Sequence, residues 1–178
     1  MRFSETFYGA ITFANLASAL CRSPEPSTRI CYNETGHVPQ DIDMADVKWI
    51  TSFLRDYQEQ AIRERRQPFW KMSEAASREC TQLPITKRKG VQVVGKHIGD
   101  GKLAVLYSDI ANTIEAAATA SASHEDESLA KCGAAGGQMH VLINTTNPFY
   151  QAESYRTEGY SYQGLIIKLL RNEKEVNI

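Results

Sequence analysis

The segment from Asp41 to Pro68 most constrains the fold, because it carries the strongest helical pattern in the chain. Its apolar side chains recur at intervals of three and four residues, which places them on one face of an α-helix. These positions are Ile42, Ala45, Trp49, Ile50, Phe53, Leu54, Tyr57 and Ala61. Asp41 or Asp43 can cap the helix by accepting free backbone N–H groups, and Pro68 ends it because proline lacks that group. The pattern therefore predicts a long helix with one buried face.

Strand patterns dominate the rest of the chain. Residues 90–107 predict a hairpin, because two apolar stretches flank a glycine turn at Gly99-Asp100-Gly101. Residues 160–170 end in a nearly continuous apolar run, which predicts a central strand. Two further strands are predicted at residues 29–32 and 138–143.

A second helix is predicted after this hairpin. Ser108 and Asp109 can cap it, and Ile110, Ile114 and an alanine run that continues to Ala122 suit its interior. Short links between the elements favour antiparallel pairing. The predicted fold is therefore α+β, with an antiparallel sheet of about four to five strands and two helices packed on one face.

Residues 1–19 have the features of a secretory signal peptide. Arg2 gives a positive start, residues 7–16 are mostly apolar, and Ala17-Ser18-Ala19 supplies the small residues of a cleavage site. Glu5 and Asn15 suit an ordinary amphipathic helix, which is the alternative. The predicted division is a signal peptide at 1–19, a loop segment at 20–40, one domain at 41–172 and a frayed tail at 173–178. The chain is accordingly predicted to be secreted and extracellular.

The cysteines agree with export. They are Cys21, Cys31, Cys80 and Cys132. An even number beyond the predicted cleavage site predicts two disulfides, with all three pairings open. None of the spacings is C-x-x-C, so neither a zinc site nor a redox pair is predicted. The alternative is a set of free buried thiols in a protein that is not exported.

Two sequons predict N-glycosylation of an exported chain. Asn33 begins Asn-Glu-Thr and Asn144 begins Asn-Thr-Thr. The dibasic pair Lys87-Arg88 resembles a processing site, but its polar surroundings favour a solvated turn before a strand.

Charge and composition exclude several classes of function. The net charge of −1 argues against nucleic-acid binding by bulk electrostatics. No apolar run reaches the ~18–20 residues of a membrane-spanning helix. The glycine-rich residues 133–137 precede a strand and lack a following Lys-Ser pair, so they predict a close approach to Cys132 or a bulge, not a phosphate loop.

Motifs for catalysis or cofactor binding are absent from the sequence. It contains no G-x-S-x-G, and its four histidines lack metal-ligand spacing. No catalytic residue, metal or cofactor is therefore assigned, and the question of enzymatic activity is left open.

Tyrosines cluster near the end of the chain. Tyr150, Tyr155, Tyr160 and Tyr162, together with Arg156, form the candidate binding surface. Tyrosine and arginine are enriched among residues that dominate binding energy. The alternative is that the tyrosines pack on the sheet.

A ribonuclease-like site is the catalytic alternative. If their strands are neighbours, His97 and His140 could face one cleft with Glu153, Arg156 or Tyr162. Imidazole and carboxylate would then move protons while arginine stabilises phosphate charge.

The order of elements resembles that of fungal secreted killer-toxin-like and necrosis-inducing effector domains. The similar stretches are residues 41–54, Glu79-Cys80-Thr81 leading into 90–95, residues 103–118, and residues 131–141 with their cysteine and paired glycines. The resemblance implies a small disulfide-bonded α/β sandwich. The family usually has a cysteine in or beside the first helix, and none lies between Cys31 and Cys80 here, so no functional residue is carried over.

The sequence thus favours a small secreted, disulfide-bonded effector or toxin-like protein of a fungus. We expect it to bind a host or competitor protein or a cell-surface target. The alternatives are a secreted ribonuclease-like enzyme and an α+β binding domain that is not secreted.

Overall fold

The computed structural model describes residues 28–115 and 128–173. The strands are β1 (Ile30–Cys31), β2 (Phe69–Met72), β3 (Gln82–Arg88), β4 (Val91–His97), β5 (Lys102–Leu106), β6 (Gly137–His140), β7 (Tyr160–Ser161) and β8 (Leu165–Arg171). The helices are α1 (Met44–Arg63), α2 (Glu74–Arg78), α3 (Tyr107–Ile114), a 3₁₀ helix (Leu129–Ala135), α4 (Pro148–Gln151) and α5 (Glu153–Thr157). The predicted signal peptide lies outside the described residues.

The described chain is α+β, as predicted. Five antiparallel strands form sheet A in the order β1-β6-β8-β4-β3, so the last strand is central as expected. A second, three-stranded sheet, sheet B, has the order β2-β5-β7 and was not predicted. No described helix is both long and apolar enough to cross a membrane.

Helix α1 confirms the strongest sequence pattern. The Asp43 carboxylate caps it by accepting the N–H of Ala45 at 2.8 Å. Its buried face is Val47, Ile50, Thr51, Leu54 and Ala61, together with the ion-paired Asp46. Trp49 and Phe53 were predicted on this face and are exposed instead. Each precedes a core residue by one position, which turns its side chain about 100° away from the core.

The main core lies between the inner face of sheet A, helices α1 and α3, and one face of sheet B. Leu165, Ile167 and Leu169 of β8 form its centre, and alternate residues of β4 lie beside them. The opposite face of sheet B covers a second cluster under α4 and α5. This second cluster comprises Phe69, Ala104, Leu106, Tyr150 and Tyr155.

The predicted hairpin at 90–107 is wrong, because its two strands belong to different sheets. Strand β4 pairs with β3 and β8, whereas β5 pairs with β2 and β7. The β3–β4 hairpin turns at Lys89 and Gly90 instead, so the predicted solvated turn at Lys87-Arg88 is the end of a strand. The glycines at 99–101 let the chain reverse direction after β4, but they do not decide which strand β5 pairs with. Strand β5 pairs with β2, whose Trp70 and Met72 are buried in the core.

Helix α3 begins earlier than predicted. It starts at Tyr107 without a side-chain cap, and Asp109 lies inside it and is buried. The remainder of the predicted helix, residues 116–122, lies outside the described residues. The segment between β6 and β7 contains the short helices α4 and α5.

A disulfide joins Cys31 of β1 to Cys132 of the 3₁₀ helix, with 5.1 Å between the Cα atoms. The predicted close approach of glycine to Cys132 is confirmed. A Cβ at Gly137 would lie 3.0 Å from the Cys132 sulfur and 2.5 Å from the Ile30 carbonyl oxygen. Cys80 is also disulfide-bonded, and Cys21 lies outside the described residues.

Candidate functional site

The predicted tyrosine surface is largely core. Tyr150 is 3% exposed and Tyr155 is 5% exposed, because their rings fill the space between sheet B and the short helices. The Tyr155 hydroxyl donates to the carbonyl of Ala104 at 2.8 Å. These two tyrosines therefore cannot form a contact surface, and the packing alternative holds for them.

The other members of that surface remain accessible. Arg156 is exposed and donates to the Gln151 carbonyl at 2.8 Å, while Tyr160 and Tyr162 are half-buried. Their rings lean on the buried pair, with centroid distances of 5.7 Å from Tyr155 to Tyr160 and 5.1 Å from Tyr150 to Tyr162. The core tyrosines thus support the two outer ones.

A buried carboxylate anchors the second cluster to α3. The Tyr150 hydroxyl donates to Asp109 at 2.7 Å and accepts from the N–H of Leu106 at 3.0 Å. The N–H of Asn144 also donates to Asp109, at 3.3 Å. Burial raises the pKa of Asp109, and these two donors oppose that effect. The group ties α3 to the segment before α4 and is closed to solvent.

The two histidines of the ribonuclease-like alternative lie on opposite faces of sheet A. His97 of β4 is paired with Leu165, whereas His140 of β6 is paired with the next residue, Ile166. Successive residues of a strand point to opposite faces, and directly paired residues share a face. The predicted single cleft is therefore not formed.

His97 instead forms a buried pair with Ser77 of α2. Its Nδ1 lies 2.7 Å from the Ser77 hydroxyl, and both side chains are almost fully buried. Burial lowers the pKa of His97, and a hydrogen bond to the Gln163 backbone opposes this. A serine beside a histidine is the arrangement of an activated nucleophile. Because both side chains are buried, a substrate could not reach this pair. The contact instead holds α2 against the end of β4.

Both predicted glycosylation asparagines are exposed. Asn33 lies in the turn after β1. The Asn144 side-chain oxygen accepts from the Thr146 N–H at 3.2 Å and the Thr146 hydroxyl at 2.7 Å. Each sequon therefore presents its acceptor side chain at the surface.

The most prominent exposed apolar feature is a row of aromatic rings along α1. We define the aromatic row as Trp49, Phe53, Tyr57 and Tyr107. The first three are four residues apart and so lie along one side of the helix. Trp49 is 40% exposed and Phe53 is 37% exposed. Tyr107, at the start of α3, meets Tyr57 edge to face at 4.9 Å.

The rings of the aromatic row contact one another. Trp49 and Phe53 are stacked, with centroids 5.2 Å apart and an angle of 10° between their planes. Phe53 and Tyr57 are 5.9 Å apart and tilted by 30°. Burial raises the pKa of Tyr107 to about 12, so its hydroxyl is neutral at physiological pH. The four rings thus form one continuous apolar strip.

An arginine lies at each end of the strip. The Arg88 guanidinium sits 4.1 Å from the centre of the Trp49 ring and pairs with Asp46 at 3.0 Å. Asp46, which holds Arg88, lies about one helical turn before Trp49, and Phe53 lies about one turn after it. The indole ring of Trp49 therefore has Arg88 towards one end of the helix and Phe53 towards the other. At the other end Arg66 lies 5.4 Å from the centre of the Tyr57 ring. The Trp49 ring therefore contacts both a guanidinium and a phenyl ring.

The sequence contains a signal for this strip that the prediction missed. Helix α1 contains more apolar positions than one core-facing stripe needs, and Val47, Ile50 and Leu54 alone supply a buried face. The surplus aromatic residues at four-residue spacing indicate a second apolar stripe on the helix.

Within the described ranges, no group of three or more His, Cys, Asp or Glu side chains could hold a metal ion. Comparison of the chain with protein family models, curated proteins and solved structures finds no match.

Proposed function

We propose that this chain is a secreted, disulfide-stabilised effector or toxin-like protein of a fungus that acts by binding a protein on a host or competitor cell. The observation that carries the binding function is the aromatic row, which links three rings of α1 to one ring of α3 and has an arginine at each end.

The composition of the strip supports a binding role. Tryptophan, tyrosine and arginine are the residue types that most often dominate the energy of protein interfaces. Exposing Trp49 and Phe53 to water is unfavourable, at about 25 cal/mol per Å² of apolar surface. A partner that covers these rings would recover that free energy.

The ring geometry favours a protein partner over a nucleobase. A nucleobase stacks on an open aromatic face. Arg88 and Phe53 already pack against the Trp49 ring, so a nucleobase could stack there only after one of them moved away. Apolar side chains of a protein can pack against ring edges without that change.

The disulfide and the exposed sequons support the proposed export. The Cys31–Cys132 bond joins positions 101 residues apart, and disulfides persist in oxidising compartments. Asn33 and Asn144 are accessible to glycosylation.

The test is saturable binding of the purified, labelled protein to intact target cells. We expect Trp49→Ala with Phe53→Ala to abolish saturable binding while leaving the fold intact by circular dichroism. Ile62→Ala is the matched control, because Ile62 is also 40% exposed on α1 but lies on a different side of the helix.

Protease treatment of the cells identifies the class of partner. If binding survives this treatment, or if the double variant binds as well as the Ile62→Ala control, the proposed function is wrong. Recovery of the protein only inside the producing cells, with residues 1–19 intact, would contradict the proposed export.

A further inference from the structure

A small pocket on sheet B lies apart from the aromatic row. Lys71 of β2, Lys102 of β5 and Tyr160 of β7 line it, and its volume is about 260 Å³. Lys71 is paired with Ala104, and Lys102 is paired with Tyr160. Residues 102 and 104 share a face of β5, so all three lining side chains leave the same face of the sheet.

The two ammonium groups in this pocket retain hydrogen-bond donors. The Lys71 ammonium donates to the Gln67 side-chain oxygen, and the Lys102 ammonium donates to the Glu158 carbonyl at 3.3 Å. Each ammonium group has three N–H donors, so each keeps two for another acceptor. Among the described residues, neither lysine forms an ion pair with a carboxylate. The pocket therefore presents uncompensated positive charge.

The acidic lining residue does not cancel this charge. Glu74 is held by an ion pair with Arg78, which lies one turn later on α2. Its negative charge is therefore already matched by a cation outside the pocket.

Tyr160 gives the pocket a fixed wall. Its ring packs 5.7 Å from the buried Tyr155, and the Lys71 ammonium lies 5.0 Å from its centre. The contact with Tyr155 therefore supports the phenol ring that Lys71 approaches.

We propose that this pocket binds a phosphate or sulfate group, either free or as a monoester. Two ammonium groups with donors to spare match the several acceptor oxygens of such an anion. The volume is below the ~300–1,000 Å³ of pockets that hold drug-sized ligands, so the pocket takes the anionic group and little more. The site is independent of the aromatic row and of its partner.

Titration of the isotope-labelled full chain, followed by NMR, tests the proposal. The probes are inorganic phosphate, inorganic sulfate, phenyl phosphate and phenyl sulfate. We expect saturable shifts at Lys71, Lys102 and Tyr160, weakened by added NaCl. Lys71→Gln and Lys102→Gln should each raise the dissociation constant about tenfold, as loss of a charge-assisted contact predicts. Lys48→Gln, which removes an exposed lysine of α1, should leave it unchanged.

The probes also distinguish the sources of the anion. Tighter binding of the phenyl esters than of the inorganic ions assigns the site to an esterified ligand, and equal binding assigns it to the free anion. Absence of saturable shifts at millimolar concentrations of every probe overturns the proposal. Equal dissociation constants in wild type, Lys71→Gln and Lys102→Gln would overturn it as well, provided that the variants give native spectra.

Discussion

Single residues in this protein determine how closely two segments of its backbone can approach each other. Gly137 lies between β1 and the 3₁₀ helix, where even a methyl group would collide with the Ile30 carbonyl. This requirement was readable from the sequence only as a glycine-rich segment beside Cys132. The atoms that Gly137 meets belong to a strand more than a hundred residues earlier, which no local pattern specifies.

Gly137→Ala should lower the free energy of unfolding by about 1–3 kcal/mol, the usual cost of overpacking. Gly90→Ala is the matched control, because a Cβ at Gly90 meets nothing within 4 Å. Its effect should stay within about 0.5 kcal/mol. Urea denaturation of both variants measures this difference, and equal losses would contradict the described contact.

Asp109 makes stability depend on pH. Burial raises its folded-state pKa above the ordinary value of 3.8, so the protonated carboxyl favours folding at low pH. That contribution is complete below the unfolded-state pKa and is lost as the pH rises through the folded-state pKa.

Asp109→Asn keeps an oxygen for Tyr150 and removes the charge. Wild type should therefore lose stability relative to this variant as the pH is raised from about 4 towards neutrality. Asp56→Asn, at an exposed position on α1, controls for the general loss of a negative charge. Unfolding free energies at several pH values test the sign, and a constant difference between wild type and Asp109→Asn would contradict it.

At the scale of elements, the correctly predicted helices and strands are those that carry a periodic apolar pattern within their own sequence. Helix α1 and the central strand β8 carry enough periodic apolar residues to specify themselves. Strand β2 is four residues long and acquires its strand conformation from pairing with β5, so its own sequence is uninformative. The hairpin prediction failed for the same reason, since strand partners are chosen by contacts between distant segments.

The candidate site could be predicted even less well. Periodicity shows that Trp49 and Phe53 lie on an apolar side of α1, but not which side faces the core. That choice depends on where α3 and sheet A lie. The tyrosine cluster shows the opposite error. The sequence suggests that Tyr150 and Tyr155 form a contact surface, but the packing of α4 and α5 on sheet B buries both.

The contact of His97 with Ser77, which holds α2 against β4, predicts how stability depends on pH. Because burial lowers the folded-state pKa of His97, the neutral ring stabilises the fold above the unfolded-state pKa of about 6.5. Stability should then fall as the pH drops below that value towards the folded-state pKa. His97→Gln should weaken this dependence below about pH 6.5, whereas His37→Gln at an exposed turn should leave it unchanged. Equal pH profiles in wild type and His97→Gln would contradict the role.

Across the whole molecule, covalent links tie distant segments together. Replacing Cys31 and Cys132 together with serine should lower the free energy of unfolding by about 3–5 kcal/mol, because the bond closes a loop of roughly a hundred residues. Denaturation of the double variant measures this loss. A change below about 1 kcal/mol would show that the bond contributes little.

The remaining cysteines give a second prediction at this scale. Cys31 and Cys132 are paired and Cys80 is also bonded, so we predict that Cys80 pairs with Cys21, the remaining cysteine of the printed sequence. A peptide map of the unreduced, exported protein should contain a Cys21–Cys80 link. Peptides that join Cys21 to Cys31 or Cys132 would contradict the described pairing.

Binding through the aromatic row is the central claim, and the fluorescence of Trp49 tests it most directly. Trp70→Phe leaves Trp49 as the sole tryptophan, and acrylamide quenching then reports its exposure alone. We predict strong quenching in the free protein and a clear loss of quenching when solubilised target-cell membranes bind it. Binding that leaves the quenching of Trp49 unchanged would contradict the claim.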